Sequence, residues 1–227
     1  MNSWLLLNSG QCAAAFNMAL DEALLEAMPR LQQPALRFYG WTDPAATFGY
    51  FQKISEVERA TLLRPLVRRP TGGGIVPHDA DWTYSLAFPA THECYALKAV
   101  ASYQRVHEWI QRAFAKLNVT TDLAPCCLKS LPGQCFVGHE KSDLLWQGKK
   151  IAGAAQRRTG AGLLIQGSVQ PPPLSLARAD WQRALGEVVC EEWGGAGTEF
   201  VPDALLVQRL EVLMQEKYAA VSYNQKR

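Results

Sequence analysis

The residues with chemical potential in this 227-residue chain fall in two segments. In the second, Cys135 and Lys150 lie on either side of Gln147-Gly148, a dipeptide that suits the turn of a hairpin. That turn predicts an antiparallel return of residues 149 to 156 along residues 143 to 146, which brings Cys135 and Lys150 together. An ammonium beside a thiol stabilises the thiolate, and the thiolate is what attacks a carbonyl. Taken singly, the two residues also suit a buried structural cysteine and a solvated surface lysine. The first segment is Arg68-Arg69-Pro70-Thr71-Gly72-Gly73-Gly74-Ile75-Val76-Pro77-His78-Asp79. Three successive glycines let the backbone approach a ligand and reach positive φ, so N–H groups can converge on an oxygen or line a narrow slot beside two guanidinium groups. It lacks the Lys-Ser/Thr of a phosphate-binding Walker loop, and by itself it also fits a plain hairpin.

The other cysteines add little. Cys12, Cys94, Cys126, Cys127, Cys135 and Cys190 are too sparse for a secreted disulfide framework. Cys126-Cys127, Cys135 and His139 make a CC-x7-C-x3-H pattern without the paired C-x2-C arms of zinc modules, so no metal is expected.

Several elements must position these groups. The pattern predicts a strand over 3–7 and a helix over 13–28 ended by Pro29. That helix carries a polar stripe, Asn17 and Asp21, away from Phe16, Leu20 and Leu24. Strands are predicted over 35–41 and 47–51, with a short helix over 55–63. Strict alternation over 82–88 predicts a strand whose Trp82, Tyr84, Leu86 and Phe88 face the core. Leu97, Val100, Tyr103, Val106, Ile110, Phe114 and Leu117 predict a helix over 96–117. Short strands follow at 119–123, 135–137, 142–146, 149–156 and 162–169. Beyond Pro171-Pro172-Pro173, helices over 175–186 and 203–218 flank a loop at 194–197. Strands that cluster, with helices between and after them, indicate an α+β fold with a mixed, largely antiparallel sheet flanked by helices.

Composition narrows the function. With 48% hydrophobic and 19% charged residues the chain is globular. A net charge of +2 is too small for a general nucleic-acid binder, and no window is apolar enough for a membrane span or signal-peptide core. A cytoplasmic protein is expected, organised as one domain over 1–227 with a short helical C-terminal extension from about 174.

Residues 17–25, Arg37-Phe38-Tyr39-Gly40-Trp41, Gly49-Tyr50-Phe51-Gln52, the Arg68-to-Asp79 segment and Gly148-Lys149-Lys150-Ile151-Ala152-Gly153 together resemble the biotin/lipoate ligase and octanoyltransferase family. The blocks occur in the family's order across residues 3 to 169, and the tail from Glu216 to Arg227 resembles the end of its octanoyltransferase branch. The resemblance implies a biotin/lipoate ligase-like catalytic domain. Ligases of the family usually carry Gly-Arg-Asn-Asp where this chain has Gly138-His139-Glu140-Lys141-Ser142-Asp143. The cysteine-dependent transferases carry Cys-Phe fifteen residues ahead of the family lysine, as Cys135-Phe136 stands ahead of Lys150. Pro77 and Ala154 depart from common family residues.

The resemblance therefore implies an acyltransferase that moves an octanoyl or lipoyl group from a carrier-protein thioester, through a thioester on Cys135, to a lysine of a lipoyl domain. Lys150 would lower the Cys135 pKa and steady charge on the acyl carbonyl. Arg69, Gly72, Gly73, Gly74, Ile75 and Val76 would border the acyl slot, with Gly153 and Ala155 beside it and His78 and Gln156 at its mouth. No cofactor is implied; ATP and magnesium enter only if the chain is an ATP-dependent lipoate ligase. An amidotransferase between lipoyl-bearing proteins and a non-catalytic acyl or carrier binder are the other readings. The implied partners are acyl carrier protein as donor and a lipoyl-domain protein, such as glycine cleavage H protein or a 2-oxoacid dehydrogenase E2 subunit, as acceptor. The basic runs Arg64/Arg68/Arg69 and Lys149/Lys150/Arg157/Arg158 are candidates for steering acidic carriers.

Overall fold

The computed structural model describes residues 3–128 and 138–226. In chain order its elements are β1 (Trp4–Cys12), α1 (Ala14–Leu31), β2 (Ala35–Trp41), β3 (Ala45–Phe48), α2 (Ile54–Ala60), β4 (Leu66–Arg68), β5 (Val76–His78), β6 (Trp82–Pro89), α3 (Glu93–Ala96) and α4 (Ala99–Lys116). They continue with β7 (Asp122–Leu123), β8 (Leu144–Trp146), β9 (Lys149–Thr159), β10 (Gly162–Val169), α5 (Arg178–Glu192), β11 (Gly197–Glu199), α6 (Ala204–Leu213), a π-helical turn over Met214–Tyr218, and α7 (Val221–Asn224).

Eight strands form one sheet in the order β11-β1-β2-β6-β10-β9-β8-β7. The β11, β1 and β2 strands run parallel and every later pairing is antiparallel. The fold is therefore α+β with a mixed, largely antiparallel sheet. The strands β4, β3 and β5 form a second, three-stranded sheet; β4 and β5 are not among the expected strands, and the segment at 68–79 reads in the sequence as a glycine loop.

Alternation on β6 does what the sequence requires. Trp82, Tyr84, Leu86 and Phe88 join Trp109, Ile110 and Phe114 of α4 and Trp181 and Val188 of α5 in one core cluster. The small face is buried as well: Thr83, Ser85 and Ala87 lie on the side covered by α1. The polar stripe of α1 is explained by that burial. Asp21 accepts from Arg37 Nη1 at 2.7 Å, Ser85 Oγ at 2.6 Å, Tyr39 Oη at 3.0 Å and Gln166 Nε2 at 2.7 Å. A fully buried carboxylate is tolerable when paired and hydrogen-bonded in this way.

Some expected boundaries move. Pro29 does not end α1 but lies within its last turn; Gln32, at φ 55, closes the helix through its N–H to the Met28 carbonyl. The strand expected at 47–51 ends at Phe48, because Gly49–Gln52 turn back on themselves with Gln52 N–H bonded to the Gly49 carbonyl. Residues 97–98 interrupt the helix predicted from 96, and Val100 is exposed rather than part of its buried stripe. The C-terminal helical stretch folds back on α1, where Glu22 receives Lys217 Nζ at 2.6 Å and Tyr218 Oη at 2.7 Å.

Candidate active site

The α1 face of the sheet and the small sheet enclose a narrow slot with a cavity volume of about 50 Å³. Register builds its floor. Gly153, Ser168, Thr83 and Tyr39 lie side by side across β9, β10, β6 and β2, and Ala155, Gln166, Ser85 and Arg37 form the next row. Neighbouring strands lie about 4.8 Å apart, so the row from Gly153 to Tyr39 is about 14 Å long. Met18, Trp41, Thr47, Arg69, Gly73, Val76, His78 and Lys150 complete the walls.

The glycine loop forms the roof. Gly73 has φ 86, a conformation that side chains other than glycine's rarely permit, and its carbonyl presses so closely on Gly49 that a Cβ there would lie 1.9 Å away. The buried Arg69 guanidinium holds the loop, donating to the carbonyls of Gly72 at 2.9 Å and Gly74 at 2.8 Å and to Thr47 Oγ1 at 2.9 Å. Thr71 Oγ1 donates to Gln166 Oε1 at 2.8 Å and so ties the loop to the floor and, through Gln166, to Asp21.

At one end of the slot Lys150 Nζ lies 2.7 Å from Asp143 Oδ2, both side chains almost wholly buried. Tyr103 donates to Asp143 Oδ1, and the Glu140 N–H donates to Oδ2 at 2.7 Å. Burial, and next the Asp143 charge, push the Tyr103 phenol well above its usual range, so it stays a donor. The hairpin that delivers Lys150 is the expected one: Gln147 and Gly148 adopt φ 49 and 75, as a tight two-residue turn requires. Lys150 lies across Gly153, where a Cβ would come within 2.7 Å of its Cε and 2.8 Å of its Nζ. Behind α4's Tyr103 the imidazole of His107 is fully buried, with Nδ1 on the Tyr103 carbonyl at 2.9 Å; burial lowers its pKa to about 4.

Of the residues singled out in the sequence, Arg69, Gly73, Val76, His78, Lys150, Gly153 and Ala155 line this one slot. Gly72 and Gly74 take part through carbonyls that face Arg69. Ile75 and Gln156 lie elsewhere. Ile75 packs with Ala46, Phe48 and Val57 inside the small sheet. Gln156 is on the opposite sheet face from Gly153 and Ala155, as the two-residue strand period demands, and its amide bonds the Ala99 carbonyl at 2.7 Å and Ser102 Oγ at 3.0 Å on α4. Cys135, and the strand expected at 135–137, lie outside the described residues.

The sequence reading missed Met18, Tyr39, Trp41, Thr47, Thr83, Asp143, Gln166 and Ser168. Two signals pointed to part of this set: the small face of β6 and the polar stripe of α1.

The basic run at 64–69 is not a surface patch. Arg68 is fully buried and donates to the carbonyls of Tyr50, Gln52, Tyr223 and Asn224, clamping the C-terminal tail to the turn beneath the glycine loop. Cys126 and Cys127 are exposed, and His139 Nδ1 is engaged with the Cys126 carbonyl at 3.0 Å; among the described residues no cluster is arranged to hold a metal. No described helix is long and apolar enough to cross a membrane.

Comparison with known proteins agrees with this architecture. The octanoyltransferase LipM of Geobacillus kaustophilus is 36% identical over 179 residues, which are 73% of this chain and 64% of the relative. The chain thus spans a little under two thirds of the length of such curated relatives. Among solved structures, lipoate-protein ligase A bound with ATP superposes with a TM-score of 0.79 at 20% identity, covering 99% of this chain and 98% of that one. The bi-partite lipoate protein ligase of Thermoplasma acidophilum gives 0.74 at 18% identity, with 99% and 97% covered. Residues 13–170, which include both sheets' slot-lining strands and the lysine hairpin, match the lipoyl protein ligase A/B catalytic domain, and the chain belongs to that family.

Proposed function

We propose that this protein is a cysteine-dependent octanoyltransferase, which takes an octanoyl group from a carrier-protein thioester onto Cys135 and passes it to a lysine of a lipoyl domain. The observation that carries this reading is the slot: an apolar channel of acyl length that ends at the Lys150 ammonium. Its lining includes many polar residue types, yet their hydrogens point away from the lumen, to Asp21 and to Asp81. What remains facing the lumen is the rings of Tyr39 and Trp41 and the side chains of Met18, Val76 and Ala155. An extended chain advances about 1.2 Å per bond, so an octanoyl group of about 9 Å fits the floor.

In this reading the Cys135 thiolate attacks the carrier thioester and the carrier thiol leaves. The acceptor lysine then attacks the Cys135 thioester and releases the thiol. One thioester replaces another and an amide, which is more stable, replaces the second, so no nucleotide is required. Lys150 favours the thiolate and stabilises charge on the acyl oxygen, with Asp143 and Tyr103 fixing its position. Arg69 and the Gly72–Gly74 loop shape the slot, and His78 closes its wall. The relatives named octanoyltransferase support the reaction, and the archaeal neighbour studied with its E2 lipoyl domain supports the class of acceptor. Acyl carrier protein is the proposed donor, and glycine cleavage H protein or a 2-oxoacid dehydrogenase E2 subunit the proposed acceptor.

The test is intact-mass analysis after mixing with octanoyl-acyl carrier protein and no nucleotide, followed by addition of a lipoyl domain. One octanoyl adduct should appear on the enzyme and then on the domain, indifferent to ATP and magnesium. Transfer that needs free octanoate or lipoate plus ATP, with release of pyrophosphate, would assign the ligase reaction instead.

A further inference from the structure

We infer that Asp81 determines the specificity of the slot's far end, selecting an acyl chain that ends in methyl over one that ends in a polar group. The inference rests on the octanoyl reading above and adds a residue that lies outside its thiol and ammonium chemistry. Asp81 is buried just beyond β5, and a single oxygen, Oδ2, receives His78 Nδ1 at 2.8 Å, Ser168 Oγ at 2.7 Å and Thr83 Oγ1 at 3.1 Å. Thr83 Oγ1 in turn accepts the Trp41 indole N–H at 2.8 Å, and the Trp41 ring stacks on His78 at 3.8 Å. His78 Nε2 is engaged with Thr47 Oγ1 at 2.7 Å. The hydroxyl and ring hydrogens of this wall are thereby drawn out of the lumen by one acceptor.

The wall stands where the chain must end. From Gly153, beside Lys150, Ser168 is one strand away and Thr83 two, about 10 Å at roughly 4.8 Å per strand. An octanoyl chain with its carbonyl at Lys150 and about 1.2 Å per bond places its methyl over these two residues. A terminal hydroxyl there would lose water and meet hydroxyls already committed to Asp81. An otherwise apolar pocket rejects an added hydroxyl by on the order of 100-fold.

Asp81→Asn would undo this. All three donors converge on the one oxygen Oδ2, and a neutral amide oxygen in its place lacks the charge that holds them there, so the bonds weaken and Ser168 or Thr83 is released toward the lumen. The measurement is kcat/KM for octanoyl and 8-hydroxyoctanoyl carrier-protein thioesters in the full chain. Wild type should favour octanoyl about 100-fold, and Asp81→Asn should narrow the ratio to about 10-fold or less. Adding Ser168→Ala to Asp81→Asn should restore part of the preference by removing one loosened hydroxyl. Trp41→Phe, which frees the Thr83 oxygen while leaving Asp81 in place, should narrow the ratio several-fold and serves if Asp81→Asn does not fold. Ratios unchanged in Trp41→Phe and in a folded Asp81→Asn, or an equal loss on both substrates, would overturn the assignment. If wild type transfers neither group, the octanoyl reading itself has failed, a result distinct from an unchanged ratio.

Discussion

Replacing Gly153 by alanine is a one-carbon perturbation aimed at the position of Lys150. The added Cβ would lie 2.7 Å from Lys150 Cε and 2.8 Å from Nζ, where ordinary contact begins at 3.4 Å. The obstacle is the end of a flexible side chain, so the strand can stay and the ammonium must retreat by about 0.7 Å. That retreat stretches the 2.7 Å pair with Asp143. At an effective dielectric near 20, opening a unit-charge pair by such a distance loses about 1 kcal/mol. A loss of that size lowers Tm by about 2–4 °C in a chain of this length. The consequence for rate is larger, because a misplacement on the order of 1 Å at a positioned group costs up to about 100-fold. Gly153→Ala should therefore fold with a nearly unchanged Tm, transfer octanoyl 10- to 100-fold more slowly, and show slower iodoacetamide labelling of Cys135. Calorimetry, transfer kinetics and labelling followed by mass mapping make the comparison. Wild-type kinetics in Gly153→Ala would refute the role given to Lys150; a Tm loss of ten degrees or more would refute the steric argument instead.

Three further outcomes are expected. Gly73→Val forces a β-branched residue to φ 86, so transfer should fall strongly with a destabilisation of about 1–3 kcal/mol; full activity would make the glycine loop a mere turn. Cys135→Ala should abolish both the enzyme adduct and the transfer, whereas Cys126→Ser and Cys127→Ser keep both; an adduct that persists in Cys135→Ala and maps to a neighbouring cysteine would displace Cys135 as the nucleophile. The third concerns His107, whose folded pKa near 4 lies below the usual 6.5, so the unfolded chain binds the proton more readily. Stability from this residue is complete above about pH 6.5 and declines as pH falls toward 4, by about 3 kcal/mol in all. Denaturant melts at pH 7 and pH 4.5 should show that decline in wild type and a smaller one in His107→Gln, and equal declines would remove His107 as the source.

What the sequence determined by itself is what local periodicity and local backbone chemistry can carry. The β6 alternation of Trp82 to Phe88 announced a core face, the Gln147-Gly148 pair announced a tight hairpin, and the glycine triplet announced a roof that needs positive φ. Each depends on residues a few positions apart, and the structure shows each in that form. Family spacing joined Lys150 to the same site as the glycine loop. What only the tertiary structure decided depends on register between distant strands. Gln156 and Ala155 are neighbours in sequence, yet the pairing of β9 with β10 puts one over α4 and the other in the slot. Arg68 stood in the sequence as a guanidinium beside the glycine loop and a candidate for steering carriers, and the return of the C-terminal tail made it a buried clamp. Asp81 meets Ser168 across 87 positions, and Asp21 meets Gln166 across 145. No pattern within a single segment encodes such meetings, because the cost of leaving a buried carboxylate unpaired is settled only when the whole sheet has formed and brought its donors together.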